Sequence, residues 1–187
     1  EKDEELLLDY STSIRKRILS HMVRRGISII CNAEVCEVGS DSVVLENGQN
    51  LDFDLLIWVT GPWSQEIFKE SGLSTDARGF VLVRSTLQFV EYDNLFGVGD
   101  CATLVEAPLT PKAGVYAVRQ GPCLTHNLYR WLDDGPLRNY HPQADFLTLL
   151  NLGDGSAVGG KWGCSIEGRW VMKLKDYIDR KFVADFS

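Results

Sequence analysis

No stretch of this chain is apolar for long enough to span a bilayer, and its opening has no signal-peptide pattern. No CxxC pair occurs among the five cysteines, Cys31, Cys36, Cys101, Cys123 and Cys164. That removes the common zinc-ribbon and thioredoxin-type arrangements. Cys31-x4-Cys36 has no matching second pair and no nearby histidine. An odd count without a pattern points to reduced thiols in a cytosol-like compartment. Histidine is scarce: His21, His126 and His141 each stand apart from a second ligand at metal spacing, which argues against a metal centre. Basic residues are outnumbered, 19 against 26 acidic, for a formal net charge of -7. Nucleic acid is therefore not the expected partner, because phosphate binding relies on clustered Lys and Arg. The chain also opens at Glu1 without an initiator methionine and in mid-pattern, so it is expected to be part of a longer polypeptide.

What is present is a globular balance. The 187 residues are 44% hydrophobic and 24% charged, enough for one medium domain or two small ones. Ser11 or Ser13 is placed to cap a helix whose Ile14, Ile18, Leu19 and Met22 share a face, with Gly26 closing it. "GISIICNAEVCEV" is strand material. "DSVVLENGQNLDFDLLIWVTG" reads as a hairpin around Asn47-Gly48 that feeds an apolar strand, Leu55 to Val59, buried on both faces. A short helix follows near Gln65 to Glu70, then a strand in "GFVLV". A long helix is expected from about Lys112 to Leu132, burying Val115, Val118, Leu124 and Leu128, with Pro122 inside it. The tail, rich in glycine and aromatics, reads as strands joined by turns and a final helix.

The stretch "NLFGVGDCATL", Asn94 to Leu104, carries the first chemical signal. It reads as a buried strand delivering Asp100 into a crevice, and in open α/β sheets ligands bind beyond the carboxyl ends of strands. The glycines before Asp100 let a ligand approach the backbone. A carboxylate there accepts hydrogen bonds from sugar or ribitol hydroxyls. About a dozen residues later a helix opens at Pro111-Lys112-Ala113-Gly114. Its first N–H groups lack intrahelical partners and carry partial positive charge, which suits a flat, electron-rich group. A flavin fits that pair, since it gains negative charge near N1 and O2 on reduction. The same Gly-x-Gly-Asp pattern also serves as a plain turn.

"LFGVGDCA" resembles the second flavin-binding motif of the FAD-dependent pyridine nucleotide-disulfide oxidoreductase superfamily, and "DFDLLIWVTG" resembles its Ala-Thr-Gly segment, with Val59 for the alanine. "PLTPKAGVYAVRQGPCLTHNL" and "GRWVMKLKDYIDRKF" resemble the narrower type II NADH dehydrogenase-like group, including the flavoprotein module fused to selenide, water dikinase. The resemblance implies an α/β fold, part of a FAD/NAD(P)-binding Rossmann-like two-domain architecture with a C-terminal α+β tail. It implies that Asp100 and Gly99 face the ribitol and pyrophosphate side of FAD. Lys112, Ala113 and Gly114 would meet the isoalloxazine, and Thr60 and Gly61 would lie where the nicotinamide and flavin domains join. Residues 1–61 would be the end of the NAD(P)-binding domain, 62–134 the C-terminal part of the FAD-binding domain, and 135–187 an interface, membrane or acceptor region. The implied activity passes a hydride from NAD(P)H through flavin to a quinone-like acceptor.

The family uses two G-x-G-x-x-G fingerprints, and this sequence contains neither. FAD and NAD(P)H would then need a further N-terminal segment or a second chain. The alternative is a non-catalytic interaction or assembly module, homodimeric through its uncovered edges, that has lost dinucleotide binding. The last helix interleaves Trp170, Tyr177, Phe182 and Phe186 with Lys173, Lys175, Arg180 and Lys181. It suits either peripheral membrane contact or packing on the preceding hairpin. The implied location is cytoplasmic, with the membrane surface as its variant. Cys101 and Cys123 are read as packing residues, and Trp162 as a turn residue near the acceptor site or an interface.

Overall fold

The computed structural model describes residues 1–144, 146–161 and 163–184. Trp162, Asp185 and Phe186 lie outside the described residues. In chain order the elements are α1 (Thr12–Arg24), β1 (Val35–Val38), β2 (Ser42–Leu45), β3 (Asn50–Asp52), α2 (Ile67–Glu70), β4 (Val81–Val83), a 3-10 turn (Gly99–Cys101), β5 (Ala102–Leu104), α3 (Gly114–Leu132), β6 (Thr148–Asn151), β7 (Ala157–Lys161), β8 (Cys164–Gly168) and α4 (Arg169–Ala184). They form two compact units: residues 1–57 together with the segment from 145 onward, and residues 58–144.

In the first unit, α1 starts after Ser11 and stops where its periodic apolar residues stop. Gly26 takes φ +72°, and the Gly26 and Ile27 N–H groups donate to the Val23 and Met22 carbonyls. This is the left-handed C-terminal closure that glycine permits. The β1-β2-β3 meander is antiparallel. Its β2–β3 turn places Gly48 at φ +82°, with Gly48 N–H donating to Leu45 O. A second antiparallel sheet runs β6-β7-β8, with β7 in the middle and α1 and α4 packed on it. Ala157, Val158 and Val171 are fully buried there. Burial of each valine contributes about 1.5–3 kcal/mol. Gly160 keeps the α1 contact close, since a Cβ there would stand 3.2 Å from Ile14 Cδ1.

His21 is not the isolated residue its sequence setting implies. Its Nε2 lies 2.7 Å from Glu167 Oε1 on β8 and its Nδ1 3.8 Å from Asp154 Oδ2. Arg17 joins them, donating to Glu167 Oε2 at 2.8 Å and Ser165 Oγ at 3.1 Å. One face of α1 is thus tied to the C-terminal sheet by charge as well as by Ile14.

In the second unit, β4 and β5 pair in parallel, Val81 opposite Ala102 and Val83 opposite Leu104. Their apolar residues cluster with Leu87, Phe89 and Tyr140. α3 runs through Pro122 to Leu132; of the expected residues Leu124 packs against this core, but the most deeply buried positions are Tyr116, Gln120 and Asn127. Val118 and Leu128 are 44% and 42% exposed. The reason is hydrogen bonding. Asn127 Nδ2 donates to Thr86 O at 2.8 Å and Arg138 O at 2.9 Å, and its Oδ1 accepts the Arg138 N–H at 2.8 Å.

Two expected strands are absent. Leu55 to Val59 has no ladder partner among the described residues, and Leu55 and Val59 are 77% and 83% exposed. Asn94 to Val98 is extended at Val98, yet its pairing is a single bridge, Gln88 with Phe96. An apolar run without a neighbour to accept its backbone bonds does not form a ladder. Asp100 therefore stands on a turn just before β5, not at the end of a paired strand.

Candidate cofactor site

The 3-10 turn, β5, the Pro108–Pro111 loop and the first turns of α3 surround a depression of about 290 Å³, counted with its open mouth. Gly99, Asp100, Lys112, Tyr116 and Gln120 line it. Gly99 takes φ +72°, a conformation that favours glycine, and its N–H donates to Gln120 Oε1 at 2.5 Å. That bond ties the Asp100 turn to α3. The Asp100 side of the turn remains exposed. α3 begins after Ala113, which is extended at φ -145°, and no side chain caps the helix. Its first turn carries no acidic residue.

Lys112 folds its stem inward. Its Nζ donates to Ala102 O and, at 2.9 Å, to Thr103 Oγ1, and lies 4.3 Å from the Phe80 ring centroid. Thr103 Oγ1 donates in turn to Asp76 Oδ2 at 2.8 Å. The other oxygen of Asp76 accepts the Arg78 and Phe80 N–H groups at 2.9 and 3.0 Å. Burial raises the Asp76 pKa, but the bonds from Thr103, Phe80 and Arg78 and the Lys112 charge outweigh it and hold the carboxyl below its usual value. For Lys112, burial comes first and lowers the pKa, opposed by Asp76 and Asp100.

Gly99, Asp100 and Lys112 thus come to one depression. Ala113 and Gly114 follow as the cap and first residue of α3, and a Cβ at Gly114 would meet nothing within 4 Å. Thr60 and Gly61 are exposed, outside any element and outside this lining. Sequence reading missed Gln120, Thr103 and Asp76. For Gln120 the available signal was its i+4 spacing from Tyr116 on the buried face; for Asp76 it was the Asp-x-x-Gly turn before β4.

Residues 1–121 match the family model for pyridine nucleotide-disulphide oxidoreductases. The chain belongs to that family. It is similar to a type II NADH:quinone oxidoreductase of Haemophilus influenzae, 22% identical over 180 residues, covering 91% of this chain and 40% of that protein. Among solved structures, NDH2 from Plasmodium falciparum in complex with NADH superimposes with a TM-score of 0.77 at 11% identity, covering 97% of this chain and 53% of that one. The sulfide:quinone oxidoreductase of Aquifex aeolicus gives 0.76 at 18%, covering 97% and 48%. These likenesses establish a Rossmann-like fold of the kind found in FAD/NAD(P)-binding oxidoreductases. The chain spans less than half the length of the curated relatives it matches. No described helix is long and apolar enough to cross a membrane.

Proposed function

We propose that this chain supplies the C-terminal, flavin-facing part of an NAD(P)H-oxidising flavoenzyme with a quinone-like acceptor. The observation that carries the reading is the Gly99–Asp100 turn, clamped by Gln120 beside the uncapped start of α3. The residues fit one side of a flavin. Asp100 accepts hydrogen bonds from ribitol hydroxyls, and Gly99 lets the pyrophosphate side approach the backbone. The first N–H groups of α3, from Gly114 onward after the Ala113 cap, face an electron-rich group. Lys112 sets a positive charge at the wall. Bound FAD supplies hydride acceptance and delivery; the protein supplies orientation and electrostatics.

The depression is shallow and open to solvent, and in this reading it forms one wall for part of a dinucleotide, the rest being enclosed by other residues. The phosphate-binding fingerprints for FAD and NAD(P)H come, in this reading, from a preceding segment or a second chain, with Thr60 and Gly61 at the crossing between the two nucleotide domains. The exposed apolar run Leu55 to Val59 is what such a segment would cover. The same run supports a second reading, a homodimeric assembly module without catalysis. On the exposed side of α4, Trp170 and Tyr177 with Lys173 and Lys181 suit peripheral contact with a membrane surface on the cytoplasmic side.

The test is NADH oxidation with a water-soluble quinone, measured on the chain combined with a polypeptide carrying both fingerprints. The combination turns over, and Asp100→Ala lowers flavin affinity at least tenfold, since bonds to a charged group contribute about 1.5–3 kcal/mol. Self-association without flavin uptake would favour the assembly module.

A further inference from the structure

A half-buried lysine answers desolvation in one of two ways: it loses its proton or it finds an anion. Among the described residues Lys112 meets the Ala102 carbonyl, the Thr103 hydroxyl and the Phe80 ring face, and forms no salt bridge with a carboxylate. The charged and titratable groups around it are Asp76 and Arg78 from the turn before β4, and Asp100 and Cys101 from the 3-10 turn. Asp100 is exposed, whereas Asp76 is half-buried and already holds two backbone N–H groups.

Thr103 gives this arrangement a direction. A hydroxyl has one proton to donate. At 2.8 Å from Asp76 Oδ2 that proton goes to the carboxylate, leaving only lone pairs towards Lys112 at 2.9 Å. Lone pairs accept far more strongly from an ammonium than from the weakly donating N–H of a neutral amine, and they offer no donor to the amine's own lone pair. With Asp76 gone, the hydroxyl is free to rotate and donate to the amine instead, so the selection disappears.

We propose that Asp76 is a positioning residue of the cofactor site: acting through Thr103, it holds Lys112 as an oriented ammonium at the wall of the depression beside Asp100. Its use rests on the flavin reading above. A fixed positive charge at that wall favours an electron-rich ring gaining electrons, and restrains the loop that leads into α3. The lowered Asp76 pKa agrees with a carboxylate that stays ionised across the working range.

The test is a pH titration of the Lys112 side chain by NMR in the chain labelled at lysine Cε, with Lys112→Arg used to assign the signal. Asp76→Asn keeps an oxygen for the Arg78 and Phe80 N–H groups but removes the charge. It lowers the proton affinity of Lys112 by about tenfold or more. Thr103→Val does the same, while Thr103→Ser, which retains the hydroxyl, leaves the titration near that of the unsubstituted chain. Should Asp76→Asn fail to fold, Thr103→Val alone decides. An unchanged Lys112 titration in a folded Thr103→Val or Asp76→Asn chain overturns the proposal. The titration needs no cofactor, so it is separate from the flavin reading, which fails if no flavin is retained by the complemented protein. Where flavin is retained, its midpoint potential drops in Asp76→Asn; an unchanged potential overturns the electrostatic role.

Discussion

Gln120 Oε1 accepts the Gly99 N–H at 2.5 Å, so a buried side chain on α3 fixes the backbone of the turn that presents Asp100. Replacing Gln120 by Leu takes away the partner of that half-buried N–H, at a cost of about 0.5–1.5 kcal/mol, the net worth of one hydrogen bond. The expected outcome is a lower urea midpoint together with weaker flavin uptake by the complemented protein. Gln120→Glu keeps an acceptor and should retain more of both. Equal uptake by the Leu variant would separate the turn from the site.

Asn127 is fully buried and bonds to Thr86 O, Arg138 O and the Arg138 N–H. Asn127→Leu removes all three bonds while conserving much of the volume. Unfolding should become easier by about 2–4 kcal/mol, since several buried polar groups lose their partners together. Chemical denaturation followed by fluorescence measures it.

The strand β7 has no room at Gly159. A Cβ there would stand 2.1 Å from Thr148 O and 2.6 Å from Leu149 Cδ2. Gly159→Ala must therefore push β6 away, and overpacking of this kind costs about 1–3 kcal/mol or more. The prediction is a lower melting temperature and faster amide exchange in β6. Gly155→Ala, in open space at φ +81°, should cost less.

Glu167 titrates below the ordinary glutamate value of 4.5 because His21 and Arg17 hydrogen-bond its carboxylate more strongly than burial opposes them. A carboxylate whose folded pKa is depressed contributes stability that is present above the unfolded value. That stability is lost as pH falls through the folded one. Acid should thus loosen the contact of α1 with β8 below about pH 4.5. In Glu167→Gln the denaturation midpoint should fall less steeply over that range. The same slope in both proteins would assign the acid sensitivity elsewhere.

The parts of the fold that the sequence discloses are those whose signals are local. Gly26 closes α1, Asn47-Gly48 turns β2 into β3, and apolar periodicity with a glycine-rich prelude gives α4 and its three strands. Leu55 to Val59 failed as a strand because a strand is a relation to a neighbour, and composition carries no record of the neighbour. The α3 face was misjudged for a related reason. Gln120 and Asn127 are buried by bonds to backbone groups in other loops, whereas Val118 and Leu128 remain exposed. His21 and Glu167, 146 positions apart, could be paired only in three dimensions. In the candidate site, Gly99, Asp100 and Lys112, singled out by motif, line one depression, whereas Asp76 and Thr103 reach Lys112 only through hydrogen bonds that no motif records.

The most direct measurement is the visible absorption of the purified chain after incubation with FAD and gel filtration, alone and together with a polypeptide carrying both dinucleotide fingerprints. The account predicts a colourless chain alone, retained flavin bands in the combination, and loss of those bands in the combination with Asp100→Ala. Stoichiometric flavin on the chain alone, or retention that ignores Asp100, would contradict it.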